Sequence, residues 1–257
     1  MEARALPVRI QDWVLGALPE DFKYQRGLIS MRASMLNLRS NGFHPKSILD
    51  IGAFRGDWSR LARRIYPQAA IYMLDANPEL AQPLDAAVRE LGRAEMHIAL
   101  LGAQPADSRQ FYLIRSGSSV LPENTSMPRS VVHLPMTTLD CMLAQYSVMQ
   151  PCLLKVDVQG FELEVLRGAE KLLPNVEVVI LEVSLLEYNQ GSPLWSEVVA
   201  FMRARGFVVY DICGFFRRES DRALFRTVTM FARQSSSLRG KKYFWNAEAE
   251  FAPLPMQ

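Results

Sequence analysis

The sequence predicts an α/β fold: a doubly wound, mostly parallel, seven-stranded sheet with N-terminal helices and a β-hairpin-like insertion. Three observations carry that expectation. Apolar runs of strand length alternate with stretches of helical periodicity along most of the 257 residues, which is the pattern of βαβ units. One run, Ser47-Ile48-Leu49-Asp50-Ile51, passes through Gly52-Ala53-Phe54-Arg55-Gly56 into a helical pattern on Trp58, Leu61, Ala62 and Ile65. Such a glycine turn lets a ligand approach the backbone and aims helix N–H groups at it. Finally, four strand runs end in an acid, at Asp50, Asp75, Asp157 and Glu182, and open α/β sheets bind ligands outside the carboxyl ends of their strands.

Composition bounds the class. With 49% hydrophobic and 22% charged residues, the chain has the make-up of a globular protein with a large core. A net charge of +2 creates no demand for nucleic acid or an anionic membrane. No apolar run approaches the roughly 20 residues of a membrane span. Cys141, Cys152 and Cys213 form no C-x-x-C pair and read as buried free thiols in a reducing compartment. Glu2, Asp12, Glu20 and Asp21 deny the N-terminus a signal-peptide core, which points to the cytoplasm.

In chain order, residues 1–43 read as a helical cap. Ile10, Trp13, Val14 and Leu18 share one helix face; Met31, Met35, Leu36 and Leu38 mark a second helix that Gly42 stops. The main domain spans 44–233. After the first strand and a helix over 57–66, Ala70–Leu74 is the second strand, ending in Asp75-Ala76-Asn77-Pro78. Asn77 suits an N-cap, Pro78 the first helical position and Glu79 the dipole of a helix over 78–91, closed by Gly92. Met96–Leu101 is the third strand. Residues 103–138 break the rhythm: a strand at Gln110–Ile114, a polar loop from Ser116 to Ser130, and a return at Val131–Met136, an insertion expected to act as a lid. A short helix begins at Leu139, near Thr138 or Asp140. Cys152–Asp157 is the fourth strand, followed through Gln159-Gly160 by a helix burying Leu163, Leu166, Ala169, Leu172 and Leu173. Val176–Val183 is the fifth strand, 195–205 a helix, and Phe207–Ile212 with Arg226–Ala232 an antiparallel edge pair. Residues 234–257 form an aromatic tail.

The turn decides between two ligand classes. A dinucleotide site wants G-x-G-x-x-G, and Phe54 and Asp57 occupy its second and third glycine positions. An acid with glycines two and six positions later, here Asp50, Gly52 and Gly56, instead resembles the first motif of S-adenosylmethionine methyltransferases. Phe54 replaces that motif's middle glycine. An acidic crevice suits the cationic sulfonium and ammonium of that cofactor and repels a pyrophosphate. Asp75, 23 positions after Gly52, stands where a carboxylate can accept from both ribose hydroxyls. Ala99 and Leu100 can flank an adenine, or serve only as core.

Lys155 and Asp157 alternate on a strand and so face the same way. In a central parallel strand they must pair or serve a site; a buried structural ion pair and a catalytic acid are both open. Glu182 invites the same argument, and Glu162 can simply cap its helix. His44, His97 and His133 have no metal-ligand spacing: His44 reads as loop and His97 as a packed strand residue, while His133, beside the insertion, can reach substrate. A divalent metal on Asp157 and Glu182 lacks a third ligand, so no metal is assigned.

These stretches together resemble the FkbM family of S-adenosylmethionine-dependent methyltransferases. Ile48-Leu49-Asp50-Ile51-Gly52-Ala53 with Gly56 matches, as does Leu154-Lys155-Val156-Asp157-Val158-Gln159-Gly160-Phe161-Glu162 running into Val165-Leu166-Arg167-Gly168-Ala169. Thr138-Leu139-Asp140, Ser118-Ser119-Val120-Leu121 and Leu181-Glu182-Val183 also look like family segments, over roughly 45–232. The Lys-x-Asp-x-x-Gly-x-Glu block is the specific part. Where the family often has glutamate, this chain has Gln159, and Asp75 stands where glutamate is common. The resemblance implies a class I methyltransferase (Rossmann-like) fold and O-methylation of a hydroxyl on a sugar, glycan or secondary metabolite. It implies that Asp50, Gly52, Ala53, Gly56, Asp75 and Asn77 contact S-adenosylmethionine; Asp57, Trp58, Ala76, Ala99 and Leu100, neighbours of the turn and of the strand ends, are further candidates for the cofactor set. Asp157, oriented by Lys155 and with Glu182 nearby, is the expected base. Ser118, Ser119 and His133 are the expected acceptor contacts. The partner is a small-molecule or glycan acceptor, with a homodimer allowed. The competing reading is an NAD-type oxidoreductase or a nucleotide-binding α/β module without chemistry.

Overall fold

The computed structural model of the protein describes residues 29–240 apart from Gln145 and Ser147. The helix on Ile10–Leu18 and the aromatic tail beyond residue 240 lie outside the described residues. In chain order the elements are α1 (Met31–Ser40), β1 (Ser47–Ile51), α2 (Asp57–Ile65), β2 (Ala70–Asp75), α3 (Ala81–Leu91), β3 (Ala94–Ile98), β4 (Leu100–Leu101), β5 (Ala106–Leu113), β6 (Ser130–Thr137), α4 (Leu139–Leu143), β7 (Cys152–Val156), α5 (Glu162–Arg167), β8 (Val176–Ser184), α6 (Trp195–Ala204), β9 (Phe207–Arg217) and β10 (Leu224–Arg233).

The expected seven-stranded sheet is present, in the order β3-β2-β1-β7-β8-β10-β9. Its first five strands run parallel, and β10 and β9 close it antiparallel. The chain winds outward from β1 to β3, then returns to lay β7 on the other side of β1. The direction of winding therefore reverses between β1 and β7, and such a switch point opens a crevice at the carboxyl ends of the strands.

Alternation along the strands feeds two layers. Leu49, Ile51, Leu154, Val156, Val179 and Leu181 face a layer shared with α4, α5 and α6. Ile48, Ile71, Met73, Leu153, Val178 and Ile180 face α1, α2 and α3. The cap helix is thus part of the second layer: Met35 and Leu38 are fully buried there with Cys213 of β9. Ser30 caps α1 by accepting from the Ala33 N–H.

Four local expectations change. The third strand is not continuous over 96–101: the Ala99 N–H bonds the Asp75 carbonyl at 2.8 Å, and the next two residues leave the main sheet to pair with β6. Residues 100–137 hence form a three-stranded sheet, β4-β6-β5, rather than a simple hairpin. The helix after Gly160 ends at Arg167, because Gly168 packs where an added Cβ would lie 2.1 Å from the Gly102 carbonyl oxygen, and the Asp140 carboxylate takes the N–H groups of Lys171 and Leu172; the five inward residues are buried as expected. The helix over 78–91 begins as a 3-10 turn, Pro78–Leu80, capped by Asn77. Cys141 is exposed, whereas burial pushes the Cys152 and Cys213 thiols up to about 12. No helix among the described residues is long and apolar enough to cross a membrane.

Candidate active site

The Gly52 turn joins the two sides of the switch point. Gly52 adopts φ +74°, and a Cβ there would lie 1.9 Å from the Asp157 carbonyl oxygen, so only glycine lets the β1 and β7 ends meet this closely. The Asp157 N–H bonds the Ile51 carbonyl at 3.0 Å and the Gly52 N–H the Leu74 carbonyl at 2.8 Å. Above this junction opens a cleft of about 210 Å³.

Asp75 organises one end of the cleft. Its Oδ2 accepts from the Phe54 N–H at 2.8 Å and its Oδ1 from the Asn77 N–H at 2.9 Å. Burial pushes its carboxyl above the ordinary value, against those two donors. The carboxylate thereby fixes the turn while each oxygen keeps a further lone pair. Leu80, Ala99, Leu100, Phe111 and Val120 supply an apolar wall, and Asp157 and Gln159 stand at the other end.

Asp157 also borders two neighbouring cavities. One, of about 390 Å³, lies against Ala53, Asp57, Trp58 and Lys155; the other, of about 320 Å³, against Arg115, Glu123, Glu182, Tyr188 and Arg226. The Lys155 ammonium sits 3.1 Å from Asp50 Oδ1 and 3.5 Å from Asp157 Oδ2. Burial works against that ammonium, and the two carboxylates more than offset it, so its pKa stands above the ordinary value. The exposures of the two acids differ: the Asp50 side chain is 0% exposed, that of Asp157 27%.

Gln159 bridges the acids. Its Nε2 donates to Asp157 Oδ1 at 2.8 Å and to Glu182 Oε1 at 3.0 Å, and its Oε1 accepts from Arg226 Nη1 at 2.6 Å. Arg226 also pairs with Glu182. Gln159 holds φ +58°, a backbone cost that a packed site tolerates. The turn beneath is clamped by Glu162, whose Oε1 accepts from the Val158 and Gly160 N–H groups. Burial and the charge of Asp157 raise the Glu182 carboxyl to about 7, with Arg226 opposing.

Of the residues expected to hold a cofactor, Gly52, Asp75, Ala76, Asn77, Ala99 and Leu100 line the cleft. Asp50 does not: buried in β1, it bonds Lys155 and the Ser59 hydroxyl, the latter at 2.7 Å, and acts through Lys155. Gly56 packs on Ala87 and Met73 of the helix layer. Ala53, Asp57 and Trp58 face the adjoining 390 Å³ cavity instead. Lys155 lies nearer Asp50 than Asp157, and the Gln159 amide is the hydrogen-bond donor to Asp157, at 2.8 Å.

Of the expected acceptor contacts, Ser118 lines the cleft. Ser119 is 1% exposed and donates to the Val158 and Gln159 carbonyls, a latch rather than a ligand contact. His133 is exposed on β6, on the side opposite Val132 and Leu134, which pack inward. Residues 118–123 are therefore a wall packed at Ser119, Val120 and Glu123, while residues 126–130 are exposed. His97 packs in β3 against Tyr146, ring centroids 5.2 Å apart. Among the described residues no group of three or more His, Cys, Asp or Glu side chains could hold a metal.

Phe54, Gln159 and Arg226 were missed as site residues. Phe54 stood at a failed glycine position, yet its N–H is what Asp75 needs. Arg226 carried one signal, a lone cation opening the apolar run Thr227–Ala232.

The methyltransferase FkbM domain matches residues 50–209. "Methyltransferase str2" of Strobilurus tenacellus is 34% identical over 92 residues, 35% of this chain and 32% of that protein, so the match spans about a third of that relative's length. Among solved structures, a precorrin-6y C5,15-methyltransferase from Geobacter metallireducens GS-15 aligns over 79% of this chain and 87% of its own, at 15% identity and TM-score 0.45. A methyltransferase FkbM from Methylobacillus flagellatus KT aligns over 76% and 47%, at 13% identity and TM-score 0.42.

Proposed function

The chain belongs to the methyltransferase FkbM domain family, and on that premise we propose that it is an S-adenosylmethionine-dependent methyltransferase acting on a hydroxyl oxygen of a sugar, glycan or secondary metabolite. The observation that carries the reading is the Asp75 carboxylate, fixed by the Phe54 and Asn77 N–H groups at one end of a cleft whose other end is Asp157. The donor set fits this cofactor. Asp75 offers lone pairs to the ribose hydroxyls, the wall of Leu80, Ala99 and Leu100 suits a flat apolar base, and Asp157 faces a cationic centre.

The same residues oppose a dinucleotide. The Phe54 N–H, which a phosphate would need, is spent on Asp75, and Asp57 puts a carboxylate in the first turn of α2, where an anion would be repelled.

When bound, S-adenosylmethionine supplies a methyl group already activated by its sulfonium. The protein's part is alignment and proton removal. Asp157 is held at two atoms, by Lys155 at Oδ2 and by Gln159 at Oδ1, and receives the proton of the acceptor hydroxyl. Glu182, sharing Gln159 Nε2 with it, brings a carboxyl whose pKa of about 7 suits a base at neutral pH. Phe111, Val120 and Phe161 give the cleft apolar lining.

S-adenosylhomocysteine should raise the melting temperature of the protein by linkage, and NAD should not. Equal stabilisation by NAD, or none by S-adenosylhomocysteine, sinks the reading.

A further inference from the structure

Glu123 is a buried carboxylate that the reaction just described does not use. It lies in the 116–130 loop yet is only 6% exposed. Among the described residues its carboxylate oxygens have no hydrogen-bond partner; the nearby guanidinium groups of Arg226 and Arg129 act on it only through their charge. Its Oε2 would lie 3.3 Å from a Cβ on Gly117, so the missing side chain there leaves it room. The backbone that carries it is fixed: residue 123 bridges Asn189, the Asn124 N–H bonds the Tyr188 carbonyl at 2.8 Å, and the Gln190 N–H bonds the Pro122 carbonyl at 2.9 Å.

The carboxylate opens into the 320 Å³ cavity that Asp157, Gln159, Glu182 and Arg226 also line, with the rings of Tyr188 and Phe216 in its wall. Its oxygens are not sealed, since they face the solvent of that cavity. A ligand group that takes the water's place on them must donate. A second ammonium is not required, since the Arg226 and Arg129 guanidinium groups already lie near it and oppose the effect of burial; a neutral hydroxyl is enough. One cavity then holds two separate acceptors for hydroxyl protons, Asp157 for the reacting group and Glu123 for another.

We propose that Glu123 determines acceptor specificity: it accepts a hydrogen bond from a second, non-reacting hydroxyl, so the protein takes a diol in preference to a simple alcohol. This rests on the reading of the site as a methyltransferase and goes beyond it, from a hydroxyl to a pair of hydroxyls held by named groups.

The test uses the full chain saturated with S-adenosylhomocysteine, with trans-1,2-cyclohexanediol and cyclohexanol as probes and binding followed by ligand-observed NMR titration. Wild-type protein should bind the diol on the order of tenfold to a hundredfold more tightly, the range for one hydrogen bond to a charged group. Glu123→Ala should abolish that preference and Glu123→Gln should reduce it, both with unchanged S-adenosylhomocysteine affinity. If Glu123→Ala does not fold, Glu123→Gln decides. A wild type that binds both probes equally or fails to bind the diol, or a preference that survives the substitutions, overturns the proposal. Loss of S-adenosylhomocysteine binding by wild type would instead strike the methyltransferase reading, so the two failures are distinguishable.

Discussion

The two halves of the groove along the strand ends are assembled at different range. On the β1–β2 side the defining bonds join residues 21 and 2 positions apart, Phe54 to Asp75 and Asn77 to Asp75. On the β7–β8–β10 side they join residues 23, 44 and 67 apart, around Gln159, Glu182 and Arg226. Lys155 stands between the halves, with a sealed acid on one flank and an open acid on the other. Burial separates two carboxylates that the sequence presents alike: Asp50, without access to solvent or cleft, supports the site, while Asp157 can meet a ligand.

Substitutions can sharpen that contrast. The largest effect on stability is expected from Asp50→Asn, which removes the nearer partner of a buried lysine and should cost about 3–5 kcal/mol; chemical denaturation measures it, and an unchanged midpoint would show that Asp157 alone suffices for Lys155. Asp75→Ala should weaken S-adenosylhomocysteine by about 1.5–3 kcal/mol, the range for hydrogen bonds to a charged group, and isothermal titration reads it directly. A variant that binds normally removes Asp75 from the cofactor site.

The smallest effect is a pH slope. Because the folded-state pKa of Glu182 is raised to about 7 by burial and by Asp157, the folded protein holds a proton there that the unfolded chain releases near the ordinary glutamate value of about 4.3. The contribution to stability is therefore full below about pH 4 and lost as pH rises through about 7. Wild type should lose stability relative to Glu182→Gln across that window, and parallel denaturation midpoints for the two proteins would contradict it.

Legibility in the sequence followed the range of the contacts. The seven strands and the Gly52 turn could be read because each rests on a local run, apolar or bracketed by glycines; the switch point between β1 and β7 could not, since it depends on the order of strands in the sheet. The place of Asp75 in the cleft lining was legible for the same reason as the turn, one βαβ unit away from it. Arg226 was not, since only the antiparallel return of β10 beside β8 brings it to Glu182. Gln159 looked like a weakened family position; its role as a bridge between two acids depends on a left-handed backbone that no residue pattern announces. Asp50 lies outside the cleft because the motif shows an acid near a strand end but not its depth: it pairs with Lys155 inside the sheet, whereas Asp157 follows the last residue of β7. The break at Ala99 and the short α5 arise from packing against the insertion, at Gly102 and Met136, and those contacts have no local signature.

Asp157→Asn tests the central claim most directly, namely that the open end of the Asp50–Lys155–Asp157 chain is where chemistry occurs. Lys155 keeps Asp50 in this variant, so the protein should stay folded and bind S-adenosylhomocysteine like wild type. Methyl transfer from tritiated S-adenosylmethionine to a hydroxylated acceptor should fall by on the order of 10²–10⁴, the usual loss for a general base. Melting, titration and transfer on one preparation give the answer. A variant that is destabilised but transfers normally per folded molecule would contradict the account and reduce Asp157 to a second partner of a buried lysine.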